Sequence, residues 1–308
     1  MKPFLKWAGG KRQLLSELHR RLPEQLHSLE AFTYIEPFLG GGAMLFSMLE
    51  RFPNMERIVA NDINKDLINA YVVVRDRVEE LISSLEKLQV QYDHAKADAR
   101  AAMFYQKREQ YNAPGMTDEV EHAALLIFLN HTCFNGLYRV NSKGKFNVPF
   151  GRYLSPLICD AETLRADSQG LQRVEFLCGD FMEVAPHIAV HTFIYLDPPY
   201  RPLNQTSAFT TYTQDGFSDN DQRNLANFCR QLSLHKNVNW MLSNSDCSSQ
   251  NPSDTFFEDI YRGFNIQRVY ASRMVSANAR KRGKLTELLI SSYVTETKHL
   301  SDKLCVAL

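Results

Sequence analysis

The strongest constraint in this chain is a rhythm. Short apolar runs at 32–35, 57–60, 174–178, 192–196, 238–243 and 266–270 are mostly followed by a turn and a segment with helical spacing. An apolar run without polar alternation suits a strand covered on both faces, so the pattern predicts an α/β fold built on a doubly wound, largely parallel sheet. A last strand is expected near 287–293. The rhythm breaks once. From about residue 76 to 133 Leu, Ile, Met and Phe recur every three or four residues, which predicts helices. Residues 135–153 then alternate apolar and polar around Asn141-Ser142-Lys143-Gly144, which predicts a β-hairpin. The expected organisation is a discontinuous α/β domain of residues 1–75 and 160–293, an inserted domain of 76–159, and a tail of 294–308. A chain of 308 residues with 44% hydrophobic and 23% charged residues has ample material for a core.

Several classes are excluded. The six cysteines form no C-x-x-C pair and the nine histidines no H-E-x-x-H, so no metal is expected, and reduced thiols fit a cytoplasmic chain. The opening MKPFLKWAGGKR reaches glycine and charge too soon for a signal peptide, and the apolar run 123–129 is too short to cross a bilayer, so no membrane partner is expected. The final Cys305-Val306-Ala307-Leu308 fits a prenylation pattern but follows no polybasic run and is not taken as an anchor.

In a doubly wound sheet, ligands collect at the carboxyl ends of strands. At the end of the run 192–196 stands Asp197-Pro198-Pro199-Tyr200. Two prolines donate no N–H bonds, so this turn presents a carboxylate and carbonyl acceptors beside an aromatic face. That combination suits a planar group bearing an NH₂: the amine donates to Asp197 and to the Pro198 carbonyl while the ring stacks on Tyr200. A second strand-to-helix turn reads Glu36-Pro37-Phe38-Leu39-Gly40-Gly41-Gly42, where glycines allow close approach to the backbone; its spacing is neither that of the G-x-G-x-x-G fingerprint nor that of a P-loop. Asp62 ends the next strand, a position from which an acid commonly binds ribose hydroxyls, so a nucleoside-bearing cofactor is expected.

The formal charge is zero, from 35 basic and 35 acidic residues. The segments 1–12, 135–153 and 273–284 nevertheless hold four, four and five basic residues and no acid. Neutrality is therefore a sum over a polarised surface. In the hairpin, Arg139, Lys143, Lys145 and Arg152 are interleaved with Asn135, Tyr138, Asn141, Asn147 and Tyr153, and Arg and Asn are the residue types that read guanine and adenine edges. Arg273, Arg280, Lys281, Arg282 and Lys284 form a second basic stretch suited to phosphates. Double-stranded DNA is the expected partner.

Taken together, KWAGGK at 6–11, EPFLGGG at 36–42, Asn61-Asp62, the run 134–153, Gly179-Asp180-Phe181, DPPY at 197–200 and Arg282-Gly283-Lys284 resemble the Dam-type DNA adenine-N6 methyltransferases, over about residues 2–293. The resemblance implies a Rossmann-like S-adenosylmethionine-dependent methyltransferase sheet with a helical and β-hairpin target-recognition insertion. It implies that S-adenosyl-L-methionine is held by Trp7, Lys11, Glu36, Pro37, Phe38, Gly40, Gly41, Gly42, Asp62, Asp180 and Asp197, with Phe181 flanking its adenine. Target contacts map to Asn135, Leu137, Arg139, Asn147, Pro149 and Tyr153, with Phe134 filling the gap left by an extruded base and Arg280, Lys281, Arg282 and Lys284 on phosphates. The implied target is the adenine of GATC, flipped onto Tyr200, and a cognate restriction endonuclease is an implied partner if the chain serves modification. Cytosine-C5 chemistry is disfavoured, since no cysteine follows a proline. The competing readings are a glutamine or RNA N-methyltransferase and a methylase-fold DNA-binding regulator without activity.

Overall fold

A computed structural model describes residues 1–7, 11, 14–202, 217–271 and 285–294. Seven strands form one sheet: β1 (Phe32–Glu36), β2 (Met55–Asp62), β3 (Val174–Cys178), β4 (Thr192–Leu196), β5 (Val238–Ser245), β6 (Asn265–Ala271) and β7 (Leu285–Ser291). Their spatial order is β3-β2-β1-β4-β5-β7-β6. The first five run parallel, whereas β7 is antiparallel to both β5 and β6. Every residue of β1 and β4 is buried, as expected for central strands covered on both faces. The chain winds outward from β1 in one direction and from β4 in the other. The carboxyl ends of these two strands therefore border the crevice where the order reverses, and Glu36 and Asp197 stand there.

The helices occur where the spacing places them. α1 is Leu15–Arg20, and α2 (Ala43–Arg51) follows the glycine turn after β1. α3 (Lys65–Asp76) begins at Asn64, whose side chain accepts from the N–H groups of Asp66 and Leu67 and so satisfies two donors of the first turn. The inserted helices are α4 (Val78–His94), α5 (Ala97–Tyr111) and α6 (Glu119–Thr132). α6 is buried almost all round and packs on α3, α4 and α5, which is why its sequence shows so little amphipathic bias. α7 (Ala161–Leu171), α8 (Asp219–Leu232) and α9 (Phe256–Ile260) are the remaining α-helices among the described residues. Phe128 and Tyr92 of the inserted helices join one contiguous core with Tyr34, Phe46 and Tyr71, while Ile194, Leu225 and Trp240 build a second core on the other face of the sheet.

The expected hairpin forms only in part. No strand ladder runs through 135–153; two isolated antiparallel bridges, Cys133 with Phe150 and Val140 with Phe146, define its legs. Phe134–Gly136 makes a turn of 3-10 helix in which Asn135 and Gly136 have positive φ, and Pro149 has no N–H to offer a partner. The backbone is satisfied by side chains in place of a ladder. Asn112, capping α5, accepts from Phe146 N–H at 2.8 Å and donates to its carbonyl at 2.9 Å, and Asn130 of α6 donates to the Gly136 carbonyl. The turn at the tip holds, with Gly144 N–H on the Asn141 carbonyl and Asn141 N–H on that of Lys145.

Candidate active site

The glycine turn after β1 is tied to the end of β2. Asp62 accepts from Gly40 N–H through one oxygen and from Asn64 N–H through the other, both at 2.9 Å. Asn61 donates to the carbonyls of Pro37 and Gly179, so the ends of β1, β2 and β3 are stapled together by one buried amide. The glycines answer to the protein itself. A Cβ at Gly41 would lie 2.8 Å from Trp7 Cβ, and one at Gly42, whose φ is +67°, would lie 2.5 Å from the Tyr71 hydroxyl. Trp7 thus lies on the turn, and its ring also stacks on Tyr138 with centroids 5.2 Å apart. Burial pushes the Asp62 carboxyl up, against its hydrogen bonds to backbone N–H groups. Burial also pushes Glu36 well up; the hydrogen bond from the Tyr34 hydroxyl opposes this, and the charges of Asp197 and Asp62 reinforce it.

One strand over, Asp197 leaves the end of β4. Its Oδ1 accepts from Ser243 Oγ of β5 at 2.8 Å and pairs with Lys11 Nζ at 2.9 Å. A hydroxyl has one hydrogen, so with Ser243 donating to Asp197, the 3.0 Å contact between Ser243 and Tyr195 is a donation from the tyrosine. Lys11 Nζ also lies 4.1 Å from the centroid of the Tyr200 ring, and this lysine is only 5% exposed. Pro199 offers its carbonyl to the buried Gln222, which in turn accepts from Asn244. The next residue, Arg201, is locked by Asp219 and Asp254 and lies over the Phe256 ring. The Asp197–Tyr200 turn is therefore held from behind by α8 and β5, and its carboxylate is aligned by hydrogen bonds before any substrate arrives.

The expected site residues fall into three groups. Trp7, Lys11, Glu36, Pro37, Phe38, Gly40, Gly41, Gly42, Asp62, Asp180 and Asp197 to Tyr200 stand along one edge of the sheet or on the segment laid against it. Asp180 caps the turn of 3-10 helix Phe181–His187 through Met182 N–H, whereas the expected cofactor neighbour Phe181 is buried, stacked on Phe38 at 5.5 Å. The exposed apolar side chains nearest these acids in sequence are instead Ile63 and Met182. In the inserted loop, Tyr138, Phe146 and Val148 turn inward, whereas Phe134, Asn135 and Pro149 are exposed and Leu137, Arg139, Asn147 and Tyr153 half-exposed. The alternation survives although the ladder does not. Arg139 Nε donates to Asn147 Oδ1 at 2.8 Å, and Tyr153 hydroxyl accepts from Asn135 N–H. Arg280, Lys281, Arg282 and Lys284 lie outside the described residues.

Sequence reasoning missed the residues behind the site: Ser243, Gln222, Asn244, Asn112, Asn130 and Glu287, which accepts from the Tyr200 hydroxyl. Ser243-Asn244 carried a usable signal, since polar residues closing an apolar strand beside β4 fall on the catalytic edge. Glu287 carried none. Lys6 was also without a separate role; its main chain exchanges two hydrogen bonds with the Asn130 amide and its ammonium lies over Tyr153. Among the described residues no cluster of metal-ligating side chains occurs, and no helix is long and apolar enough to cross a membrane.

One edge of the sheet thus brings the glycine turn and Asp62 together with the acceptor-rich Asp-Pro-Pro-Tyr turn. The chain matches the D12 class N6 adenine-specific DNA methyltransferase family over residues 7–275 and belongs to it. It is 44% identical to the type II methyltransferase M.MjaIII of Methanocaldococcus jannaschii over 95% of this chain and 99% of that one. It is 36% identical to the DNA adenine methylase of Haemophilus influenzae (94% and 92% covered) and 32% identical to that of Escherichia coli (93% of each). The protein is an adenine-specific DNA methyltransferase.

Proposed function

We propose that the enzyme methylates N6 of the adenine in double-stranded GATC, after turning that base out of the helix onto Tyr200, with S-adenosylmethionine as donor. The observation that carries the reading is the Asp197 carboxylate at the switch point, fixed by Ser243 and joined through Lys11 to the half-buried Tyr200 ring. N6 is out of reach inside a duplex, which is why extrusion is part of the proposal. The adenine amine would take the position on Asp197 that Lys11 Nζ holds, donating its second hydrogen to the Pro198 carbonyl. With both hydrogens bonded, the nitrogen lone pair turns out of conjugation, and Asp197 stabilises the positive charge that develops on the amine. Rate then comes from positioning and electrostatics, without a covalent intermediate.

The residues present fit the cofactor. The Asp62 carboxylate has more acceptor positions than the backbone N–H groups it binds, leaving lone pairs for ribose hydroxyls, and the turn of Gly40, Gly41 and Gly42 opens a helix N-terminus. Trp7, Lys11, Glu36, Pro37, Phe38, Asp180 and Phe181 would complete that site. When bound, S-adenosylmethionine supplies an electrophilic methyl on a sulfonium centre.

Target reading is assigned to Asn135, Leu137, Arg139, Asn147, Pro149 and Tyr153, with Phe134 at the vacated base position and Arg280, Lys281, Arg282 and Lys284 on phosphates. On this reading residues 76–159 form the recognition part and residues 1–75 with 160–293 the catalytic part. The likeness to a type II methyltransferase supports a modification role beside a cognate restriction endonuclease. The test is expression in a host that lacks adenine methylation, followed by digestion with a nuclease blocked by methylated GATC. Protected DNA is expected; complete cutting removes GATC as the target.

A further inference from the structure

Tyr200 follows two prolines, and the contacts that fix its turn, at Pro199 and Arg201, grip the main chain. The ring is held differently. Its hydroxyl donates to Glu287 Oε2 at 2.6 Å, within the range of a charge-assisted O–H···O⁻ bond. Burial, with the Asp197 and Glu287 charges adding to it, pushes the phenol well above its ordinary pKa, so the hydroxyl keeps the proton it donates. Glu287 is anchored through its main chain. It lies in β7, paired with Ser245 on one side and Val269 on the other. Because β7 runs against β5, its beginning lies at the carboxyl edge of the parallel strands, where Asp197 is. The antiparallel strand thus delivers a carboxylate to an edge that a parallel strand would leave to its loop.

We propose that Glu287 is a positioning residue for methyl transfer: through the Tyr200 hydroxyl it sets the plane on which the target adenine stacks, and it accounts for a tyrosine rather than a phenylalanine there. This rests on the reading above in which Tyr200 receives the base. A ring free to rotate still offers apolar area, so binding persists, but the base plane and its amine wander from Asp197. The loss falls on kcat more than on KM.

The test compares Tyr200→Phe, Glu287→Ala, Glu287→Gln and the double variant Tyr200→Phe/Glu287→Ala, each as the full chain. Measurements are steady-state methyl transfer and the fluorescence of 2-aminopurine at the target position, with thermal unfolding as a check on the fold. Tyr200→Phe and Glu287→Ala should each lower kcat about 5- to 30-fold, with KM for S-adenosylmethionine within about twofold. The double variant should be no slower than the worse single one, because both remove the same bond. Glu287→Gln, which can still accept from the hydroxyl, should recover at least half of the loss on a logarithmic scale. Multiplicative losses in the double variant, or wild-type kcat in Tyr200→Phe, overturn the proposal. Tyr200→Phe leaves Glu287 in place, so it remains decisive if Glu287→Ala fails to fold. If the wild-type enzyme methylates adenine without any 2-aminopurine response to base extrusion, the reading of Tyr200 as the base site fails instead.

Discussion

The catalytic edge and the inserted loop are both irregular segments held by regular ones, yet they differ in which groups are held. At the edge, the Asp197–Tyr200 turn emerges from a fully buried strand and is gripped by side chains of its neighbours: Ser243 on the carboxylate, Gln222 on the Pro199 carbonyl and Glu287 on the tyrosine hydroxyl. In the inserted loop, the grip is on the main chain. The amides of Asn112 and Asn130 bond peptide groups of Phe146 and Gly136, leaving the side chains of alternate residues facing outward. At the edge the carboxylate and the tyrosine hydroxyl are themselves fixed from behind, whereas in the loop the amide contacts of Asn112 and Asn130 fall on peptide groups and the outward Arg139 bonds a loop neighbour, Asn147. The two regions meet in the N-terminal segment, where Lys6 is bonded to Asn130 and Trp7 bridges Tyr138 and the glycine turn.

If this contrast is right, the largest effect belongs to Asp197→Ala. Losing both the amine acceptor and the charge opposite the developing cation should lower kcat by at least about 10³-fold. DNA binding, measured by a gel-shift titration, should stay within about tenfold, and activity above one per cent of wild type would remove Asp197 from the chemistry. Arg139→Ala should reverse the pattern. Discrimination against a substituted guanine in the site should fall by roughly 10- to 100-fold, in line with about 1–3 kcal/mol for a guanine contact, with a smaller change in kcat on the intended site. Unchanged preference among substituted sites would show that the loop is not the reader. Asn112→Ala probes the main-chain grip: losing two bonds to Phe146 should cost about 1–3 kcal/mol of productive DNA binding, while kcat at saturating DNA stays within about threefold. A kcat collapse in that variant would mean that the two regions are not separable.

These two modes of support also decide what could be seen in the sequence. The strands, the Asp197–Tyr200 turn and the glycine turn were legible because each depends on residues near one another in the chain: apolar runs, prolines, glycines and one acid closing a strand. Glu287, 87 positions after Tyr200, was not legible, since only the antiparallel placement of β7 brings it there. The expected hairpin was half right for a related reason. Inward and outward alternation is a property of the side chains and survived, but the ladder needs donors and extended φ, which Pro149 and Asn135 do not supply. The stand-in for the ladder comes from Asn112 at a helix end, and no local pattern around residue 112 announces it.

The smallest expected effect tests the segment that joins the two regions. Asp167 on α7 is buried, accepts from Lys2 N–H and helps seat the N-terminal residues. Burial pushes its carboxyl up to about 7 from an ordinary 3.8, against the pull of the Lys2 N–H and the terminal ammonium. Below 3.8 both folded and unfolded chains hold this proton, so the stabilisation that comes with a raised pKa is fully present. Between 3.8 and about 7 the unfolded chain has released the proton and the folded one has not, so stability attributable to Asp167 declines as the pH rises, and the loss is complete above about 7. Asp167→Asn mimics the protonated side chain and has no proton to release. Its melting temperature relative to wild type should therefore climb between about pH 4 and 7 and level off above that, by a few degrees at most in a chain of this size. A difference that stays flat across this range would mean that Asp167 titrates as an ordinary carboxylate, and that the N-terminal segment is seated without a buried proton.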